Sequence, residues 1–218
     1  MTRPKLLDLF CGAGGAGVGY HRAGFDVVGV DINPQPNYPF TFHQGDALEY
    51  LADHGHEFDA IHASPPCQAS STLTKGTNAG REYPQWIPAT RAALLATGLP
   101  TVMENVQGSD LRRDLTLCGE MFGLEVIRHR YFELSGFTVT PMAHKPHRGR
   151  VAGMRHGEWF TGPYFAVYGE GGGKGSVAQW RRAMGIDWTD SRREIAEAIP
   201  PAYSEFIGRQ LIEGVVKI

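Results

Sequence analysis

The stretch "KLLDLFCGAGGAGVGYHRAGFDVVGVD", Lys5 to Asp31, constrains the fold more than any other part of the chain. A short apolar run meets a glycine-rich turn, a helix can start on that turn, and a second apolar run ends on an acid. The rhythm continues through "FTFHQGD", a helix expected from Ala47 to His54, the strand "FDAIHAS", a helix from about Pro84 to Thr97, and the strand "TVMENV". Strands separated by helical patterns predict an α/β fold: a mostly parallel, Rossmann-like sheet with helices on both faces. Binding groups are then expected at the carboxyl ends of the strands.

Beyond Val106 the pattern changes. "DLRRDLTLCGEMFG" reads as a helix, and "LEVIRHRYFELSG" alternates as an edge strand does. Residues 136–180 hold Pro141, Pro146, Pro163 and the run Gly171 to Gly173 without a convincing period, so a short loop-rich insert is expected. A last helix from about Ala202 to Val215 follows Pro200 and Pro201. The 218 residues suit one core with an appendage, divided as 1–135, 136–180 and 181–218.

No apolar run reaches the roughly 18 residues of a membrane span and no leader pattern opens the chain, so a cytoplasmic protein without a membrane partner is expected. Cys11, Cys67 and Cys118 are odd in number and widely spaced, which suits reduced thiols; no metal site is expected. A net charge of −2 gives no global basic field, so a nucleic-acid partner has to be held by local clusters. Lys145, His147, Arg148, Arg150, Arg155 and His156 form one such cluster, and Lys174, Arg181 and Arg182 follow; a solvated basic face is the plainer alternative.

The glycine turn can bring backbone amides close to an anionic or nucleoside ligand. Asp31, one unit later at a strand end, can accept hydrogen bonds from two ribose hydroxyls. Asp46 lies at the same edge, where it is equally suited to cap the next helix together with Glu49. No Gly-Lys-Ser or Gly-Lys-Thr follows and the glycine spacing is not the strict dinucleotide one. A nucleoside carrying an amino acid, such as S-adenosylmethionine, fits better. Further along, "SPPC" sets a thiol directly after two prolines at the mouth of a strand, as a positioned nucleophile requires.

Six segments in order resemble the DNA cytosine-5 methyltransferases, in a compact phage- or bacterial-type form: "DLFCGAGG", "GD" at 45–46, "PPCQ" at 65–68, "ENV" at 104–106, "RHRYF" at 128–132 and "AEAIPPAYSEFIG". The resemblance implies a class I S-adenosylmethionine-dependent fold. It also implies methyl transfer to C5 of a cytosine flipped out of double-stranded DNA, with S-adenosylhomocysteine as product. Cys67 would attack C6, Glu104 would hold N3, Arg130 would contact the base or orient the carboxylate, and Arg128 would steady the site or a phosphate. The cofactor would lie on Asp8, Phe10, Gly12, Gly14, Gly15, Asp31, Ile32, Asp46, Ala47, Pro65, Glu197 and Ala198. DNA would be touched by Gln68, Ser71, Lys75 and Arg81 after the nucleophile and by Arg148, Arg150 and Arg155 in the insert. A monomer is implied, with a restriction endonuclease partner encoded elsewhere.

The chain departs from the family pattern at Ser70, Val126 and Glu197, where an aromatic residue, a glutamine and an asparagine are usual. So short an insert as 136–180 predicts a short or relaxed target sequence. Two rival readings remain at this level: an RNA cytosine-5 methyltransferase with the same motif order, and a non-catalytic nucleic-acid reader.

Overall fold

The computed structural model describes residues 2–66, 86–155, 158–168 and 175–216. The main sheet contains β1 (Lys5–Leu9), β2 (Asp26–Asp31), β3 (Thr41–Gln44), β4 (Ala60–Ala63), β5 (Thr101–Val106), β6 (Leu115–Leu117) and β7 (Arg130–Ser135). Their order is β3-β2-β1-β4-β5-β7-β6. The first five run parallel, and β7 lies antiparallel between β5 and β6. The helices are α1 (Gly15–Ala23), α2 (Ala47–His54), α3 (Trp86–Ala96), α4 (Val177–Met184), α5 (Arg192–Glu197) and α6 (Pro201–Val215), and β8 (Gly153–Arg155) pairs with β9 (Glu158–Phe160) as a small hairpin. This is a mostly parallel α/β sheet with helices on both faces, as the alternation of strands and helices predicts. No helix among the described residues is long and apolar enough to cross a membrane.

Burial on both faces explains why the strands read as apolar runs rather than as alternation. In β1, Leu6 packs with Tyr20, Phe25 and Tyr203 on the face covered by α1 and α6. Leu7 and Leu9 pack with Leu51, Ile61 and Leu94 on the face covered by α2 and α3. A third cluster joins Val126 and Val167 to Trp180, Met184 and Ile195, so α4 and α5 settle against the end of the sheet. Helix α6 starts at Pro201, where a proline costs no hydrogen bond.

Two elements differ from expectation. The stretch expected as an edge strand forms a strand only over Arg130–Ser135, buried at its centre and paired on both sides, because β6 lies outside it. Residues 110–123 are not a helix; they form β6 and then a single tight turn, Gly119–Phe122. The Leu111, Leu115, Cys118 and Phe122 spacing suits a helix, but the edge of β7 offers backbone partners that a surface helix lacks. The ladder pairs Leu115 with Phe132 and Leu117 with Arg130, burying both leucines while Thr116 faces outward. Asp114 fixes the register by accepting from the Leu134 amide at 2.8 Å. Packing at the sheet edge therefore outweighs local propensity.

Candidate active site

The carboxyl ends of β1, β2, β4 and β5, the start of β7 and the α5–α6 junction surround one cavity of about 750 Å³. Its floor is the glycine turn. Phe10, at the end of β1, has φ 56°, a left-handed conformation uncommon outside glycine, and Gly14 at φ 89° caps α1. No side chain caps α1 at Gly14 and its first turn carries no acid; the Gly17 amide is taken by Asp8, which leaves the amides before it for an anion. Glycine is required at position 15 for a different reason: a Cβ there would lie 2.3 Å from the Ile199 carbonyl oxygen. The carboxyl-terminal part closes over the turn through Trp188 Nε1, which donates to the Ala13 carbonyl at 2.7 Å, and Ser204 Oγ, which donates to that of Ala16 at 2.8 Å.

Asp31 stands at one end of the cavity. Its two carboxylate oxygens accept from the Gly12 amide at 3.0 Å and the Asn33 amide at 2.9 Å, which orients the group and still leaves lone pairs for hydroxyl donors. Ile32 beside it is 64% exposed, an apolar side chain left open at the mouth. Asp8 is fully buried: burial pushes its carboxyl up to about 8, against hydrogen bonds donated by Tyr38 at 3.2 Å and by the Gly17 amide, and Oδ1 has no partner among the described residues. An uncapped helix start, an oriented carboxylate and an apolar lip fit a nucleoside that carries an amino acid.

At the other end, Glu104 on β5 is buried with Arg130 Nε 2.9 Å from Oε1. Burial pushes the Glu104 carboxyl up, and the charges of Arg130 and Arg128 with a hydrogen bond from Ser64 pull it back only in part. Arg128 donates to the carbonyls of Val167 at 3.0 Å and Ala196 at 2.6 Å, so it brackets the cavity wall as well as lining it. Asn105 Nδ2 donates to the Pro65 carbonyl at 2.8 Å, and its Oδ1 accepts from Val106 N. The backbone entering the Pro65–Pro66 pair is thereby tied to β5.

A second layer is absent from the sequence reading. Tyr20 Oη lies 3.0 Å from His62 Nδ1, and His62 Nε2 lies 2.9 Å from Ser64 Oγ, the hydroxyl that reaches Glu104. Complete burial lowers the His62 pKa to about 3, so the ring is neutral and holds Ser64 without adding charge. The signal available was a histidine inside a buried strand, "AIHAS", which needs polar partners on both ring nitrogens.

The cavity gathers Asp8, Phe10, Gly12, Gly15, Asp31, Ile32, Pro65, Glu104, Arg128, Arg130, Glu197 and Ala198 among the residues singled out from sequence. Gly14, Asp46 and Ala47 do not line it. Asp46 caps α2, its Oδ1 accepting from the Leu48 and Glu49 amides at 2.8 and 3.0 Å. Arg148 is paired with Glu120 at 2.6 Å, Arg150 lies over the Phe160 ring at 5.1 Å, and Arg155 has its backbone on β8. Cys67, Gln68, Ser71, Lys75 and Arg81 lie outside the described residues.

Two solved structures share the fold along the whole chain. A prophage-encoded DNA modification methyltransferase of E. coli has a TM-score of 0.61 at 14% identity, covering 99% of this chain and 100% of its own. The Dnmt2 methyltransferase of S. pombe has a TM-score of 0.67 at 14% identity, covering 97% and 99%. Sequence relatives include the type II methyltransferase M.XorII of Xanthomonas oryzae, 37% identical over 91 residues, and M.AquIA of Picosynechococcus, 33% identical over 125. The matched stretches cover 34% and 48% of this chain but only 22% and 49% of those proteins. The family model for C-5 cytosine-specific DNA methylases matches residues 4–113, half of the chain, from the glycine turn through the Glu104 strand. On that match, with the strand order and cavity in agreement, the chain belongs to the C-5 cytosine-specific DNA methylase family.

Proposed function

We propose that the protein methylates C5 of cytosine in duplex DNA, using S-adenosylmethionine and a covalent bond from Cys67. The observation that carries this reading is the buried Glu104 carboxyl, raised in pKa and held beside Arg130, in the cavity that Pro65 and Pro66 border. A buried carboxyl shifted towards its protonated form, near the carboxyl end of a strand, suits N3 of a cytosine, which is accessible once the base leaves the stack.

S-adenosylmethionine, when bound, supplies an electrophilic methyl group. Asp31 would hold its ribose hydroxyls, the Gly12–Gly15 turn and the start of α1 would hold its amino-acid carboxylate, and Ile32 would cover its base. C5 of cytosine is a weak nucleophile, so the Cys67 thiolate first adds to C6. As the S–C6 bond forms, the C5=C6 electron pair moves to C5 and Glu104 delivers a proton to N3. Arg130 keeps the carboxyl aimed, and Asn105 fixes the backbone from which Cys67 follows. Transfer of the methyl group to C5 would break its bond to the sulfonium sulfur and leave S-adenosylhomocysteine; a base then removes the C5 proton, the C5=C6 double bond reforms and the Cys67 thiolate leaves. Arg148, Arg150 and Arg155, with Gln68, Ser71, Lys75 and Arg81, contact the phosphates and the vacated pair.

Covalent trapping tests the reading. The chain is incubated with S-adenosylmethionine and a pool of 5-fluorocytosine duplexes, in which fluorine replaces the proton that must leave. A denaturation-resistant protein–DNA adduct that is absent in Cys67→Ala is expected. An adduct on 5-fluorocytosine RNA alone, or none on either acid, contradicts it.

A further inference from the structure

Four side chains outside the cavity converge on one point: Cys118, His129, His144 and His147, whose ligand atoms all lie within 4.8 Å of one another. Cys118 precedes the turn after β6, His129 precedes β7 between the two site arginines, and His144 and His147 belong to the insert. Cys118 Sγ is 3.5 Å from His147 Nε2, and His144 Nε2 is 3.3 Å from both His129 Nε2 and His147 Nε2. Ring centroids of the three histidines are 5.0 to 5.3 Å apart.

Hydrogen bonding does not account for this arrangement. An imidazole nitrogen has either one proton or one lone pair, in the ring plane, so His144 Nε2 can serve one of its two neighbours and not both. A tetrahedral cation can serve all of them. With nitrogen at about 2.05 Å and thiolate sulfur at about 2.3 Å from zinc, tetrahedral angles set N···N near 3.3 Å and N···S near 3.6 Å. The three observed separations match those edges, and three imidazoles with one thiol supply the four nitrogen and sulfur ligands that a closed tetrahedral zinc site needs.

We propose that Cys118, His129, His144 and His147 bind one zinc ion that fastens the insert to the arginine-bearing edge of the sheet. The ligands span both sides of that junction. Residues 136–150 form no helix or strand, and the ion supplies the cross-link that backbone ladders do not. Because His129 sits between Arg128 and Arg130, the same ion fixes the backbone that presents both guanidinium groups to the cavity. With four protein ligands the site keeps no open position, so its role is structural.

The test uses the full chain, produced in zinc-supplemented medium, passed over chelating resin and assayed for metal by mass spectrometry. One zinc per chain is expected, lost in the His144→Ala/His147→Ala double variant while its circular dichroism stays native. Replacement by cobalt should give the intense visible bands of a tetrahedral ion and a thiolate charge-transfer band. His144→Cys changes an exposed position and adds a second thiolate, so it should keep the metal and roughly double that band. A wild-type chain without stoichiometric zinc and without a tetrahedral cobalt spectrum overturns the proposal. So does a double variant that retains the metal, or an unchanged charge-transfer band in His144→Cys.

Discussion

In the proposed mechanism Glu104 is the residue on which the chemistry turns, and its buried site beside Arg130 leads to two expected outcomes. Glu104→Gln preserves shape but removes the proton donor, so methyl transfer is expected to fall by roughly 10²–10⁴-fold. Calorimetric affinity for S-adenosylhomocysteine should not change; a parallel loss of affinity would show that the carboxyl serves cofactor binding instead. Asp8 behaves oppositely to a surface acid. Its pKa is raised from 3.8 to about 8 in the folded chain, so the folded state binds the extra proton between those values. Stability from this group is present below about pH 4 and is lost as pH rises towards 8. Melting temperature followed across that range should therefore fall less steeply in Asp8→Asn than in the parent; parallel slopes would contradict the buried protonated carboxyl. Much at this scale was legible in the sequence, because Asp31, Glu104 and the proline pair lie at or near the carboxyl ends of strands that share an edge. The Tyr20–His62–Ser64 layer was not legible, since its members become neighbours only when β1, β4 and α1 are packed. Nor was the Cys118–His129–His144–His147 cluster, whose one local trace is the His144 and His147 pair three residues apart.

At the scale of elements, the glycine run does two jobs, and only one of them concerns the ligand. Gly14 shapes the turn, whereas Gly15 lets α1 approach the start of α6. Gly15→Ala places a methyl group against the Ile199 carbonyl and should cost about 1–3 kcal/mol by overpacking, read as a lower melting temperature. Gly214→Ala, at an exposed position in the last turn of α6, meets nothing within 4 Å and should stabilise by about 0.5–1 kcal/mol. Equal effects of the two substitutions would refute the close-approach argument. The strands and α2 followed from their apolar runs because both faces of the sheet are covered. The misread of residues 110–123 has a physical origin: three residues of strand carry too little alternation to compete with a helical spacing, and the free edge of β7 decides between them. No local pattern reports that edge.

For the whole molecule, the division of labour follows from where the charges lie. On the proposed reading, a net charge of −2 leaves DNA attraction to local basic groups such as those of the insert, and the proposed zinc site ties that insert to the sheet. Removing zinc should weaken DNA binding, measured by fluorescence anisotropy, while cofactor affinity stays constant; equal loss of both would mean that the ion supports the entire fold. A small insert also presents few base-reading groups, so methylation mapped over a random-sequence library should show a short or relaxed target. The central claim is methyl transfer to C5 of cytosine through Cys67. Its most direct test incubates the chain with S-adenosylmethionine and unmethylated duplex DNA, digests the product to nucleosides and identifies the cytosine derivatives by mass spectrometry. The expected result is new 5-methylcytosine that is absent from a parallel Cys67→Ala reaction; unmodified cytosine, or a methyl group on the exocyclic amine, would contradict it.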